Sequence, residues 1–248
     1  MVDLSTSQIA ILCLIIALVA LLYSSVGHAG ASGYLAAMAL FAIPPAIMKP
    51  SALILNILVA SIGTWQFSRV GSVRWRLLGP FVAGSIPMAF LGGTISLSAT
   101  SYRLILGVLL IYGAWRLAAK VPKVEEVVAM RHWGLGVAIG GGIGFLAGLV
   151  GVGGGIFLSP LLLLRRWATA RETAGVSVAF ILVNSVAGLL GHISTVRTIP
   201  TVVPVLAACA MAGGLAGSTL GARYLSFRSL RYLLALVLAI AGTKLVIP

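Results

Sequence analysis

The sequence predicts an all-α polytopic membrane protein made of two inverted-topology repeats. Three observations carry that expectation. Apolar stretches long enough to cross a bilayer cover nearly the whole chain, a glycine-rich break recurs at matched places in two halves, and cations gather between the apolar stretches. With 248 residues, 60% hydrophobic and 8% charged, the chain leaves no room for a separate soluble domain. A formal charge of +13 would suggest nucleic acid in a soluble protein. Here the cations flank apolar stretches, so the charge reports membrane orientation and nucleic acid is not an expected partner.

The chain opens Met1-Val2-Asp3 and turns apolar without the cationic region of a signal peptide, so 9–23 reads as a first segment and not as a leader cleaved near Ala29 or Ala31. Four more segments follow in the first half, over 32–43, 50–67, 77–95 and 102–118. The second half repeats the series over 133–149, 156–164, 173–191, 201–222 and 230–246. The second segment of each half is too short for a full span at about 1.5 Å per residue. Each half is therefore expected to hold a glycine-broken pair of short helices plus three full transmembrane helices. The polar run Lys120-Val121-Pro122-Lys123-Val124-Glu125-Glu126 separates them. The units are repeat one over 1–119, a cytoplasmic linker over 120–131 and repeat two over 132–248, together forming one transport domain.

The halves align at Val26-Gly27 with Val150-Gly151, and at Asn56 with Asn184. They also align at Gly84, Leu91, Gly92 and Gly113 with Gly213, Leu220, Gly221 and Gly242. Charge gives the orientation. Arg69, Arg74 and Arg76, then Arg116, Lys120, Lys123 and Arg131, then Arg165, Arg166 and Arg171, then Arg223, Arg228 and Arg231 form clusters. All of these are cytoplasmic if the linker is inside and both termini are outside, with the halves inverted. Lys49, Arg103 and Arg197 then fall on the other face. The localisation expected is the inner (cytoplasmic) membrane, with several passes. Cys13 and Cys209, within apolar segments, read as packing residues.

The two breaks are the candidate site. Gly27, His28, Ala29, Gly30, Ala31 and Ser32 form the first, and Gly151, Val152, Gly153, Gly154 and Gly155 the second. Glycine lets backbone approach a ligand, and a helix that starts after the break offers free N–H groups to an anion. In a bilayer such breaks survive only against protein or a polar cavity, and paired breaks point to a transporter's binding site. Pro160 fits the first turn of a helix beginning after Gly155, and Ser32 is expected to cap a helix over 34–41. The competing reading is that the glycines only permit close helix packing.

Asn56 and Asn184 are lone amides in apolar segments, read either as ligand donors or as interhelical glue. His28 is read as an anion donor, a proton carrier or a structural histidine. Lys49 is read as a secondary attractor of anions or, preferably, as a side chain snorkelling to the interface; His192 and Gln66 are expected near membrane surfaces. The only carboxylates are Asp3, Glu125, Glu126 and Glu172, and none lies mid-span. A cation substrate would find no counter-charge, and neither a metal nor a cofactor is expected. The pattern Gly30-Ala31-Ser32-Gly33 has the form of an intramembrane serine protease motif, with His28 or His192 as base. The second break has Ile156 where Ser32 stands, which argues against an enzyme. A non-transporting membrane assembly factor is the other rival class.

At Gly148-Leu149-Val150-Gly151-Val152-Gly153-Gly154-Gly155, with Pro160 following, the chain resembles the sulfite exporter TauE/SafE family of membrane permeases. The size, the two-repeat layout and the basic linker also fit, and the resemblance covers essentially the whole chain. It implies export of sulfite, sulfonates or related organosulfur anions across the cytoplasmic membrane. The physics independently favours an anion: two positive helix ends, amides and a histidine, without a buried acid. Uptake or exchange of another small anion is the alternative within transport. The partners expected are thus a small anion and the lipid bilayer, with a homodimer left open.

Overall fold

Apolar sequence interrupted by glycine and proline folds, in a computed structural model, into helices joined by short turns. The structure describes residues 5–119, 126–195, 202–223 and 228–247. Both chain ends, the first half of the linker and Arg197 lie outside the described residues. Ten helices are present among those described. In the first half they are α1 (Thr6–Ser25), α2 (Ala31–Leu40), α3 (Pro45–Arg69), α4 (Trp75–Thr94) and α5 (Ala99–Ala118). The second half holds α6 (Trp133–Val150), α7 (Gly155–Leu164), α8 (Ala170–Thr195), α9 (Val203–Arg223) and α10 (Arg228–Val246).

Seven of them, α1, α3, α4, α5, α6, α8 and α9, are long and apolar enough to cross a membrane. The short helices are α2 and α7, ten residues each, or about 15 Å, half a hydrocarbon core. The first member of each broken pair is longer than expected. At 20 and 18 residues, α1 and α6 are themselves of spanning length.

The two short helices end alike. Ala42 N–H donates to Ala39 O and Ile43 N–H to Met38 O, as Arg166 N–H does to Leu163 O and Trp167 N–H to Leu162 O. Each is a Schellman closure, with a left-handed residue just past the helix. Ala42 and Arg166 supply it at φ 54° in both.

The larger helix contacts fall in corresponding pairs when the halves are exchanged. The α4 helix lies against α6 as α9 does against α1, α4 against α8 as α9 against α3, while α3 meets α8 and α5 meets α10. These contacts run backbone to backbone. A side chain at Gly140, Gly144 or Gly148 of α6 would strike the main chain of Phe81, Ser85 or Ala89 of α4, and one at Gly213 or Gly217 of α9 would strike Ala17 or Leu21 of α1. Helices in lipid gain little from hydrophobic exclusion, so small residues at the seam matter more for close packing. The packing role weighed above therefore holds for the helical glycines.

The contacts also correct the alignment. Gly63 of α3 meets Val178 of α8, and Gly188 of α8 meets Leu53 of α3. Exchange thus pairs Gly63 with Gly188 and Leu53 with Val178. By that register Asn56 answers to Ile181, and Asn184 to Val59. Likewise Gly92 abuts Phe145 O while Gly217 abuts Leu21 O, so Gly92 answers to Gly217 and not to Gly221. Sequence similarity had placed these pairs about one helical turn out, because apolar helices offer equally good matches a turn apart.

Three cationic segments meet at one end of the bundle. Arg74, between α3 and α4, donates from Nη1 to Trp167 O at 3.0 Å and lies 3.6 Å from the Glu172 carboxylate. Val128 N–H donates to Arg166 O at 2.7 Å. The turn carrying Arg69, Arg74 and Arg76 is thereby joined to the turn with Arg165, Arg166 and Arg171, and to the strip leading to Arg131. The side chains of Arg223, Arg228 and Arg231 lie outside the described set.

Candidate functional site

Each break is a short run of left-handed glycines that frees the start of a ten-residue helix. Gly27 and Gly30 have φ 76° and 104°; Gly151 and Gly154, at the matching places, have 89° and 83°. The paths agree at these glycines and part between them, where His28-Ala29 in one stands against Val152-Gly153 in the other and Ala29 does not share the positive φ. Gly153 also has positive φ, at 71°.

Exposed carbonyls at such a break need donors. Tyrosines supply them in both halves: Tyr34 Oη donates to Ala29 O at 2.6 Å, and Tyr102 Oη to Val150 O at 2.9 Å. All four groups are buried. In the first break Val26 and His28 N–H also turn back to Tyr23 O, at 3.1 and 2.9 Å. The N–H groups of Ala31 and Ser32 on α2, and of Gly155 and Ile156 on α7, have no acceptor among the described residues. They are the orphan donors of two helix N-termini, where the helix dipole adds positive potential.

The two N-termini share one buried cavity. Gly30, Ala31 and Ser32 line it from the first break, and Val152 and Ile156 from the second. Tyr23, His28, Asn56 and Ile181 complete the wall. Its free volume, about 10 Å³ for the centre of a water-sized sphere, suits one water and is too small for a four-atom oxyanion in this conformation. Among the described residues, no charged side chain lines it.

Asn56 is fully buried; its Nδ2 donates to Ser185 Oγ at 3.2 Å, and its Oδ1 has no partner among the described residues. Gly153 lies so close that a Cβ there would come within 2.7 Å of Asn56 Nδ2. His28 is held from both ring nitrogens. Nδ1 lies 3.3 Å from Val26 O, and Nε2 lies 3.1 Å from Ser159 Oγ of α7. The Tyr23 ring stands edge-on at 6.3 Å.

Of the residues expected at the site, the cavity gathers His28, Gly30, Ala31, Ser32, Asn56 and Val152. Gly27, Ala29, Gly151, Gly153, Gly154 and Gly155 shape the breaks without lining it. Gly27 sits against Ala174 of α8, and Gly151 against Lys49 of α3, so each break rests on the central helix of the other half. Asn184 is also fully buried, but its Nδ2 donates to Phe180 O at 2.8 Å on its own helix, and it is not on the cavity wall.

Three local expectations are corrected. Ser32 does not cap a helix, because α2 begins at Ala31 after the Gly30 cap; its hydroxyl donates to Tyr23 Oη at 3.0 Å. The same bond removes the protease reading, since Ser32 is engaged with a tyrosine while His28 Nε2 turns to Ser159. Lys49 does not snorkel. It is 5% exposed, and its ammonium donates to Gly92 O, Gly93 O and Ile95 O at 3.4, 3.0 and 3.2 Å, closing the C-terminal end of α4. His192 is likewise buried, while Gln66 is exposed and bonds Thr219 Oγ1.

Sequence reasoning missed Tyr23, Ile181 and Ser159. A tyrosine at the end of an apolar segment, directly before the break, was the available signal for Tyr23. Ile181 carried none, because its place follows from the α3–α8 crossing.

Comparison with known proteins bears on the whole chain. Residues 12–245 match the family described as Sulfite exporter TauE/SafE. The chain is 40% identical over 231 residues to the probable membrane transporter protein y4hK of Sinorhizobium fredii (strain NBRC 101917 / NGR234), covering 92% of this chain and 94% of that protein. No solved structure matches it.

Proposed function

The chain belongs to the sulfite exporter TauE/SafE family of membrane transporters, and on that premise we propose that it exports a small sulfur oxyanion, sulfite or an organosulfonate, from the cytoplasm. The anion sits between the N-termini of α2 and α7. The observation that carries this reading is the convergence of unpaired N–H groups from both broken helices on one buried cavity. Oriented backbone dipoles give an anion its counter-charge without a cation that would hold it too tightly. Asn56 adds an amide at the wall, and His28 a ring that can donate once protonated.

The cavity's small size describes a closed state. Alternating access opens it to one side at a time, through movement of the broken pairs against α3 and α8. The halves run inverted, with the arginine-rich end in the cytoplasm and both termini outside, in the inner membrane of the cell. An interior-negative potential then drives an anion outward by about 2.3 kcal/mol per charge per 100 mV, without sodium.

Purified protein in proteoliposomes tests the proposal. Sulfite loaded on the arginine-rich side should leave faster when that side is made negative. Flux that ignores potential and stops without sodium would sink it. A preference for another anion, or inward flux, would select uptake or exchange instead.

A further inference from the structure

A hydrogen-bonded chain leaves the cavity through His28. Its Nε2 lies 3.1 Å from Ser159 Oγ, and that oxygen lies 2.7 Å from Ser177 Oγ on α8. Ser177 is fully buried and Ser159 is 8% exposed. One turn towards the N-terminus of α8 stands Thr173, 3% exposed, whose Oγ1 has no partner among the described residues. A further turn along is half-buried Thr169, whose hydroxyl accepts from Glu172 N–H where Arg74 pairs with Glu172. Residues 169, 173 and 177 recur every four positions, so they form one stripe from the residue before α8 into the helix. The stripe runs from the arginine-rich end of the bundle to the cavity histidine.

We infer that Ser159 and Ser177, continued by Thr173, are a proton path between His28 and the arginine-rich face. The inference rests on reading the cavity as the anion site, and it adds how the histidine there changes charge.

The Val26 carbonyl can only accept, so Nδ1 carries a hydrogen and the Nε2 lone pair faces Ser159. Ser159 then donates to His28 and accepts from Ser177. When His28 is protonated, Nε2 becomes a donor and both serine hydroxyls turn the other way. One proton passes to Nε2 from Ser159, Ser159 is refilled from Ser177, and Ser177 from a water at Thr173. Both serines are neutral before and after, and the net change is one proton on the imidazole. Successive hydroxyls on the stripe are about 6 Å apart, so water bridges those steps. An orphaned buried hydroxyl at Thr173 is where such a water would be held. The polar groups facing His28 include the Val26 carbonyl, Tyr23 of α1 and Ser159 of α7, with Asn56 of α3 across the cavity. Ser159 and Ser177 are positioning residues, since neither lines the cavity.

Two readouts test this on the full-length protein. In nanodiscs with ¹⁵N-labelled histidine, the His28 Nε2 signal should move in Ser159→Ala and stay in place in Ser159→Thr and in Thr100→Ala, a remote hydroxyl control. An unchanged signal in Ser159→Ala overturns the assignment, whether or not sulfite is moved. In proteoliposomes at fixed potential, wild-type sulfite flux should change at least about threefold as pH at the arginine-rich face goes from about 6 to 8. Ser177→Ala should flatten that response while binding sulfite with unchanged affinity, and Ser177→Thr should restore it. A Ser177→Ala protein with the wild-type response overturns the path. Absence of sulfite flux in the wild type would instead remove the anion reading and leave the histidine signal to decide the hydrogen bond.

Discussion

Ala42 and Arg166 share one backbone conformation, φ 54° in each, at the same place past the end of α2 and of α7. They are the non-glycine residues with positive φ among those described. The left-handed region costs an L-residue roughly 1–2 kcal/mol. Its occurrence past both short helices ties it to the closure of the helix more than to the residue type.

That strain gives the first prediction. Ala42→Gly should stabilise the protein by roughly 1 kcal/mol, and Arg166→Gly by a similar amount where the lost charge is not felt. Thermal unfolding in detergent measures it, and Ala42→Val, β-branched at the same φ, should move the midpoint the other way.

The second prediction concerns orientation. With Cys13 and Cys209 replaced by alanine, a cysteine at exposed Arg76 should be labelled only from the cytoplasm, and one at exposed Thr100 only from outside. The same rule places position 123 of the linker inside and positions 2 and 248 outside. Labelling of Arg76→Cys from outside would reverse the proposed direction of export.

The third prediction is about the second break. Gly154→Leu should reduce sulfite flux at least about tenfold while the protein still inserts, because a side chain there is strained at φ 83° and would collide with Phe180 and Ile143. Gly153→Ala should do the same through Asn56 and Ile181. Normal flux in both variants would mean that the break's shape does not govern transport.

A fourth follows from Lys49. Lys49→Met removes the donor for three carbonyls at the end of α4 and should cost about 1–3 kcal/mol of stability. If the ammonium serves only this closure, sulfite affinity should be unchanged in the folded fraction. A marked loss of affinity would instead restore the secondary anion attraction first read into this residue.

The short helices after Gly30 and Gly154 were legible because glycine and length are local signals. The pairing of Asn56 with Asn184 was misread because an apolar helix matches itself nearly as well one turn out. Ser159 was passed over beside Pro160, since a serine within a short apolar helix looks like any other until its neighbour across the bundle is known.

By itself the sequence determined the membrane class, the ten segments, the two breaks and the family resemblance. These depend on composition, chain length and backbone freedom, which act within a few residues. Only the tertiary structure decided which tyrosine pins which break carbonyl, what holds Lys49, and that His28 turns to Ser159 and not to Ser32. Such choices depend on the rotation and register of one helix against another. Helices that are apolar on every side carry little periodic signal to fix either, so packing at the glycine seams sets them.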